Sequence, residues 1–89
     1  MNTEEIQSFL EEKLPSPDAY VKIDFKKRDS IYGLFIRDKD FNELKGKNFW
    51  RIVTRHNFEN YKKSKDSNLA RIFNGAEFSR LTSYQESFE

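Results

Sequence analysis

The chain has 89 residues, of which 35% are charged and 16% aromatic, with no cysteine and a formal net charge of +1. This length predicts one domain, burying about 60 to 65% of the surface its unfolded form exposes, and the lack of cysteine excludes disulfide staples and thiolate metal sites. No run approaches the ~20 apolar residues of a membrane span and no N-terminal run resembles a signal peptide, so the expectation is a cytoplasmic protein without a membrane partner.

The small net charge hides an asymmetry. Residues 1–18 carry one Lys against five acids, and residues 19–82 carry fifteen Lys or Arg against eight acids. A basic body beside an acidic N-terminal segment suits an anionic partner; ordinary solvated faces that attract each other account for it equally simply.

In chain order, Asn2 or Thr3 supplies a helix N-cap, with Glu4 and Glu5 in the first turn where the helix dipole favours anions. Ile6, Phe9, Leu10 and Leu14 follow at helical spacing, and Pro15 and Pro17 end the helix in a stiff connector. Residues 1–18 thus read as helix and connector. So short a helix needs a surface to pack on, and the open end of the following sheet is the simplest one.

From Tyr20 the period changes to two. Val21, Ile23 and Phe25 face one way, and Lys22, Asp24 and Lys26 the other. A polar turn over Lys26–Ser30 leads into a second strand, Ile31–Arg37, which contains Gly33. A glycine inside a strand marks a bulge, a bend or a close backbone approach. Asp38–Asn48 reads as a loop with Phe41 and Leu44 embedded in it, and Phe49–Thr54 as a dense third strand. Arg55–Asn68 reads as a long polar, basic loop or as strand extensions joined by a turn, with Phe58 and Tyr61 three residues apart.

Leu69–Phe73 forms the expected fourth strand and Ala76–Thr82 the fifth, separated by Asn74–Gly75, two residues tolerant of positive φ. A two-residue hairpin here would place Arg71 opposite Phe78 and Leu69 opposite Arg80, mixing core and surface on each face, which sheets resist. A corner, after which the fifth strand pairs elsewhere, fits the pattern better. Residues 19–82 are then a barrel with Ile23, Phe25, Phe35, Ile52 and Ile72 in its core, and residues 83–89 a polar tail.

Catalysis finds little support. His56 is the sole histidine and sits in a polar stretch beside Arg55 and Asn57. The serines lack an adjacent base, and Gly33, Gly46 and Gly75 are too scattered for a phosphate loop. A non-enzymatic protein without cofactor or metal is the expectation.

Two blocks of residues resemble the Sm-like family, the Sm, LSm and bacterial Hfq-like proteins. In the first, the alternating Val21, Ile23 and Phe25 are followed by Gly33 eight positions later and Phe35 two after that. Asp38, Lys39, Asp40, Phe41 and Asn42 continue it with one residue deleted after Gly33. In the second, Ile72, Phe73, Asn74, Gly75, Phe78 and Leu81 follow the family's strand, polar residue, glycine and strand. There are two departures: Glu43–Asn48 intervene before the third strand, and Asn74 stands where the family often has Arg.

The resemblance implies a mainly β fold, an N-terminal helix followed by a strongly bent five-stranded SH3-like/Sm-like barrel, and rings made by pairing strands four and five of neighbouring copies. It also implies single-stranded, uridine-rich RNA as partner. Phe41 would stack on a base, Asn42 would read a base edge, Asp38 would orient Asn42, and Asn74 and Gly75 would line the opposite wall. Lys62, Lys63 and Lys65 would hold phosphates. Turn chemistry alone also accounts for these residues: Phe41 as a loop anchor, Asn42 as a turn former, Asn74 and Gly75 as a tight corner, and the lysines as a solvated tip. The alternative function is a small barrel that recruits a protein partner or assembles with itself, without RNA.

Overall fold

The structure is a computed structural model that describes residues 1–16 and 19–84. Pro17, Asp18 and residues 85–89, and with them part of the expected connector and tail, lie outside the described residues. Helix α1 spans Thr3–Glu12. Its N-cap is Asn2, whose side chain accepts from the Glu5 backbone N–H while the Glu5 carboxylate accepts from the Asn2 N–H, a reciprocal capping box. Five strands follow: β1 (Tyr20–Phe25), β2 (Ile31–Phe35), β3 (Phe49–Thr54), β4 (Arg71–Asn74) and β5 (Phe78–Tyr84). All neighbours are antiparallel, in the order β4-β3-β2-β1-β5.

That order requires curvature. β4 and β5 occupy opposite edges, yet only the short 3-10 turn Gly75–Glu77 separates them in sequence. Five flat strands would set those edges about 19 Å apart at the usual ~4.8 Å spacing. Four Cα steps reach at most about 14 Å. The sheet therefore coils, with a register shift between Asp24 and Phe25 on the β1–β5 border where Ser79 is the extra residue. Gly33 serves the same curvature: a Cβ there would lie 2.5 Å from Ile52 Cγ2 on the adjacent strand.

The hairpin at Asn74–Gly75 is absent and the corner is present, since β5 pairs with β1. The corner does not use positive φ, because Asn74 has φ −87° and no glycine is positive; among the described residues the left-handed ones are Asn48 and Lys65. The expected closed barrel is not formed. β4 and β5 do not pair with each other, so the sheet stays open, and with about 39% helix and 34% strand among the described residues the fold is mixed α/β rather than mainly β.

Much of the extra helix comes from two stretches expected otherwise, Asp38–Asn48 as a loop and Arg55–Asn68 as a long loop or strand extensions joined by a turn. Phe41–Gly46 is a short helix, α2, and Phe58–Ser64 is α3, flanked by 3-10 turns at Arg55–Asn57 and Ser67–Leu69. The two helices change which faces of the sheet are covered. Beneath α1, Ile6 and Leu10 pack with Val21, Ile23, Phe25, Phe35, Trp50, Ile52, Phe78 and Leu81. On the other face, Phe58 of α3 packs with Leu34, Ile36 and Val53, joined by Tyr20, Tyr32 and Tyr61. Coverage on both sides explains why Gly33–Ile36 is an unbroken buried run instead of an alternating one. Ile72, expected in the core, is 51% exposed, because β4 is an edge strand that α3 does not cover.

Candidate nucleic-acid interface

The first half of the expected site follows β2. Asp38 is exposed; its carboxylate accepts from the Lys39 backbone N–H at 2.8 Å. That bond, then the Ser67 hydroxyl, then the charges of Arg51 and Lys39 hold its pKa below the ordinary aspartate value, with desolvation opposing. Asp40 precedes α2 and pairs with Arg51 of β3, which ties the loop to the sheet. Asp38 and Asp40 therefore have separate partners and form no paired-carboxylate site.

Phe41 begins α2 and turns inward. Its half-buried ring meets Trp50 edge-on, with centroids 6.0 Å apart. Arg37 Cζ lies 5.6 Å and Lys45 Nζ 5.4 Å from the same ring. The ring thus covers the indole, and two cations flank what remains of its surface. Asn42, next on the helix, is exposed and its side chain makes no hydrogen bond among the described residues, so the amide's donor and acceptor both face solvent.

The second half is the β4–β5 corner. The Asn74 side chain accepts from the Ala76 N–H at 2.9 Å and so caps the 3-10 turn. Gly75 is buried and its N–H donates to the Asn48 carbonyl at 2.8 Å. A Cβ on Gly75 would meet Asn48 Oδ1, and would lie 2.5 Å from Ile6 Cδ1 and 2.8 Å from Trp50 Nε1. This glycine lets the corner seat against the helix and the indole, a role distinct from lining an open wall.

Asn48, which the sequence reading passed over, joins the two halves. Its Oδ1 accepts from Trp50 Nε1 at 2.8 Å and its Nδ2 donates to the Met1 carbonyl at 2.9 Å. The Met1 ammonium in turn donates to the carbonyls of Gly75 and Phe78 at 3.0 and 2.8 Å. The one sequence signal was an Asn directly before a strand: Asn48 has φ 62°, a left-handed value that Asn tolerates better than most residues. Phe41 and Gly75 both reach Trp50, so the structure does bring the two expected halves to one place, through the indole and Asn48.

The lysines lie elsewhere. Lys62, Lys63 and Lys65 belong to the end of α3, which packs on the opposite face of the sheet from the Trp50 core. Lys62 Nζ sits 4.8 Å from the Tyr20 ring centroid and Lys65 Nζ 5.5 Å from that of Tyr61. Lys63 is exposed. His56 is exposed beside Thr54 and Asn57, with no carboxylate partner among the described residues. Among the described residues no group of three or more His, Cys, Asp or Glu is placed to hold a metal, and no helix is long and apolar enough to cross a membrane. No protein-family model, no curated protein and no solved structure matches the chain.

Proposed function

We propose that this chain is a non-enzymatic Sm-like protein that assembles into a homo-oligomeric ring and binds single-stranded, uridine-rich RNA beside Phe41 and Asn42. The observation that carries the reading is the sheet order. β4 and β5 are consecutive in sequence but form the two open edges of a coiled sheet, and Ile72 is exposed on β4. Unpaired edges are templates for pairing. Edge β4 of one copy against β5 of the next is a head-to-tail contact, which closes into a ring when the rotation allows. Asn42 supplies a free base-reading amide, and Arg37 and Lys45 place positive charge at the Phe41 ring.

A second reading, self-assembly or protein recruitment without RNA, is favoured by a separate observation. Phe41, Asn74 and Gly75 each have a structural task, covering Trp50, capping a turn and permitting close approach. Two measurements separate the readings. Light scattering over the micromolar range should return a multiple of the chain mass; a monomer throughout removes the ring. Fluorescence anisotropy with labelled oligo-uridine and oligo-adenine in low salt should show binding, and Asn42→Ala should change base preference more than the salt slope. A ring that binds neither oligonucleotide at tens of micromolar leaves the assembly reading.

A further inference from the structure

A cleft of about 470 Å³ opens between the end of β2 and α3, lined by Leu34, Phe35, Ile36, Arg37, Tyr61, Lys62 and Lys65. Its volume falls within the roughly 300–1,000 Å³ typical of small-molecule sites. Leu34 and Ile36 give it an apolar floor, and half-buried Tyr61 gives it an aromatic wall. Its three cations come from two separate elements, Arg37 following β2 and Lys62 and Lys65 from the end of α3. No carboxylate lines the cleft or pairs with any of the three among the described residues. Each instead lies over a ring: Arg37 over Phe41, Lys62 over Tyr20 and Lys65 over Tyr61.

Complementing the α3 dipole explains lysines in its last turn. It does not explain Arg37, nor why cationic residues from two elements line one cleft with an apolar floor and without an acid among them. A second basic concavity, at Phe25, Lys26, Lys27, Arg28, Ala76 and Glu77, is smaller, about 280 Å³, and carries its own carboxylate. A ligand matching the larger cleft has one flat or apolar part and one strongly anionic part.

We infer that this cleft binds a nucleotide, its base against Tyr61 and the Leu34–Ile36 floor and its phosphate among Arg37, Lys62 and Lys65. The choice of a nucleotide rests on the RNA reading above, but the site lies on the other face of the sheet from Trp50. Arg37 stands at the border, since its guanidinium covers Phe41 while it also lines the cleft. The nucleotide is either free or the phosphorylated end of an RNA strand; the cleft chemistry is the same.

The test uses the full chain and titrates UMP, AMP, uridine and inorganic phosphate, following backbone amide NMR signals. UMP or AMP should shift residues 34–37 and 61–65 and leave residues 74–78 in place, with uridine and phosphate alone at least tenfold weaker. Lys62→Glu/Lys65→Glu should weaken nucleotide binding at least tenfold. Lys13→Glu/Lys47→Glu, an equal charge change at exposed sites outside the cleft, should alter it less than about threefold. Displacement of bound UMP by 5′-phospho-oligo-uridine but not by its 5′-hydroxyl counterpart identifies a strand end as the ligand; failure of both to displace it identifies the free nucleotide. The inference falls if neither mononucleotide gives saturable shifts at millimolar concentration, or if the charge-matched variant loses as much as the cleft variant. Oligo-uridine binding that needs Asn42, with no saturable UMP or AMP shifts at residues 34–37 and 61–65, overturns the cleft and leaves the RNA reading intact. UMP binding in the cleft by a monomer indifferent to Asn42→Ala does the reverse.

Discussion

Gly75→Ala separates two accounts of the β4–β5 corner by the sign of its effect. If the glycine is there for turn chemistry alone, alanine should be tolerated, because its φ is not positive. Restricting the unfolded chain would then stabilise the protein by about 0.4 to 1 kcal/mol. The packing predicts the opposite. The new methyl would meet Asn48 Oδ1 and lie 2.5 Å from Ile6 Cδ1 and 2.8 Å from Trp50 Nε1. Ile6 can change rotamer, but the indole is rigid and is held by its bond to Asn48. Overpacking of this kind costs roughly 1 to 3 kcal/mol. Disturbing the Trp50–Asn48 hydrogen bond adds about 1 kcal/mol. After the unfolded-state gain is subtracted, the net loss is about 2 kcal/mol, which lowers the midpoint by ~8 to 16 °C in a domain of this size. Urea and thermal unfolding at one fixed protein concentration measure it, since assembly makes stability concentration-dependent. Gly46→Ala is the internal comparison: nothing lies within 4 Å of its Cβ position and it ends α2, so it should be neutral or stabilising by up to ~1 kcal/mol. A Gly75→Ala protein as stable as the parent would refute the packing account.

Other outcomes follow from the same geometry. Phe25→Ala removes a buried ring that packs on Phe73 and Phe78, and should cost roughly 3 to 5 kcal/mol by denaturant unfolding; a loss under about 1 kcal/mol would show that the ring is not core. Asn2→Ala removes the side-chain half of the α1 capping box, the acceptor for the Glu5 N–H, and should cost about 1 kcal/mol, whereas the same change at exposed Asn42 should leave stability within ~0.5 kcal/mol. Ile72→Lys puts a charge on the open β4 edge; monomer stability should hold while the mass by light scattering falls toward that of one chain. Asp38, whose folded pKa is depressed, contributes stability above the ordinary aspartate pKa and loses it as pH falls through the folded value. Asp38→Asn should therefore flatten the acid side of the stability profile, and a carboxyl titrating at the ordinary value by NMR would contradict the Lys39 and Ser67 contacts.

How much of the molecule was legible depended on how local the responsible physics was. The α1 helix and the alternation of β1 follow from rules that span a few residues and are present as read, while the structure chose Asn2 over Thr3 as the cap and, at Gly33, a close approach by the Ile52 side chain among the readings left open. The corner at Asn74–Gly75 was legible for a less local reason: a hairpin there would have mixed polar and apolar residues on each face, and β5 pairs with β1. α2 and α3 were not legible. Six and seven residues with two apolar positions apiece carry too little periodicity, and helices that short are stable only against a surface that other strands build.

The candidate site divides along the same line. The family resemblance singled out Asp38, Phe41, Asn42, Asn74 and Gly75, which turn chemistry alone also explained, and neither could assign their tasks in the fold. Only the tertiary structure set Phe41 against Trp50, buried Gly75 beside the α1 residue Ile6, and made Asn48 the link between the two loops. It also carried Lys62 and Lys65 to the far face and gave them Arg37 as a neighbour across a cleft. Ile72 shows the limit most simply: its apolar side chain fits a core strand, but whether it is buried depends on what covers β4, and nothing in its own neighbourhood of the chain specifies that. Local sequence determined which segments extend, cap and turn, because those preferences act over three or four residues. The open edges, the two covered faces and the cleft come from contacts between residues distant in sequence, and only the coiling of the whole sheet brings those together.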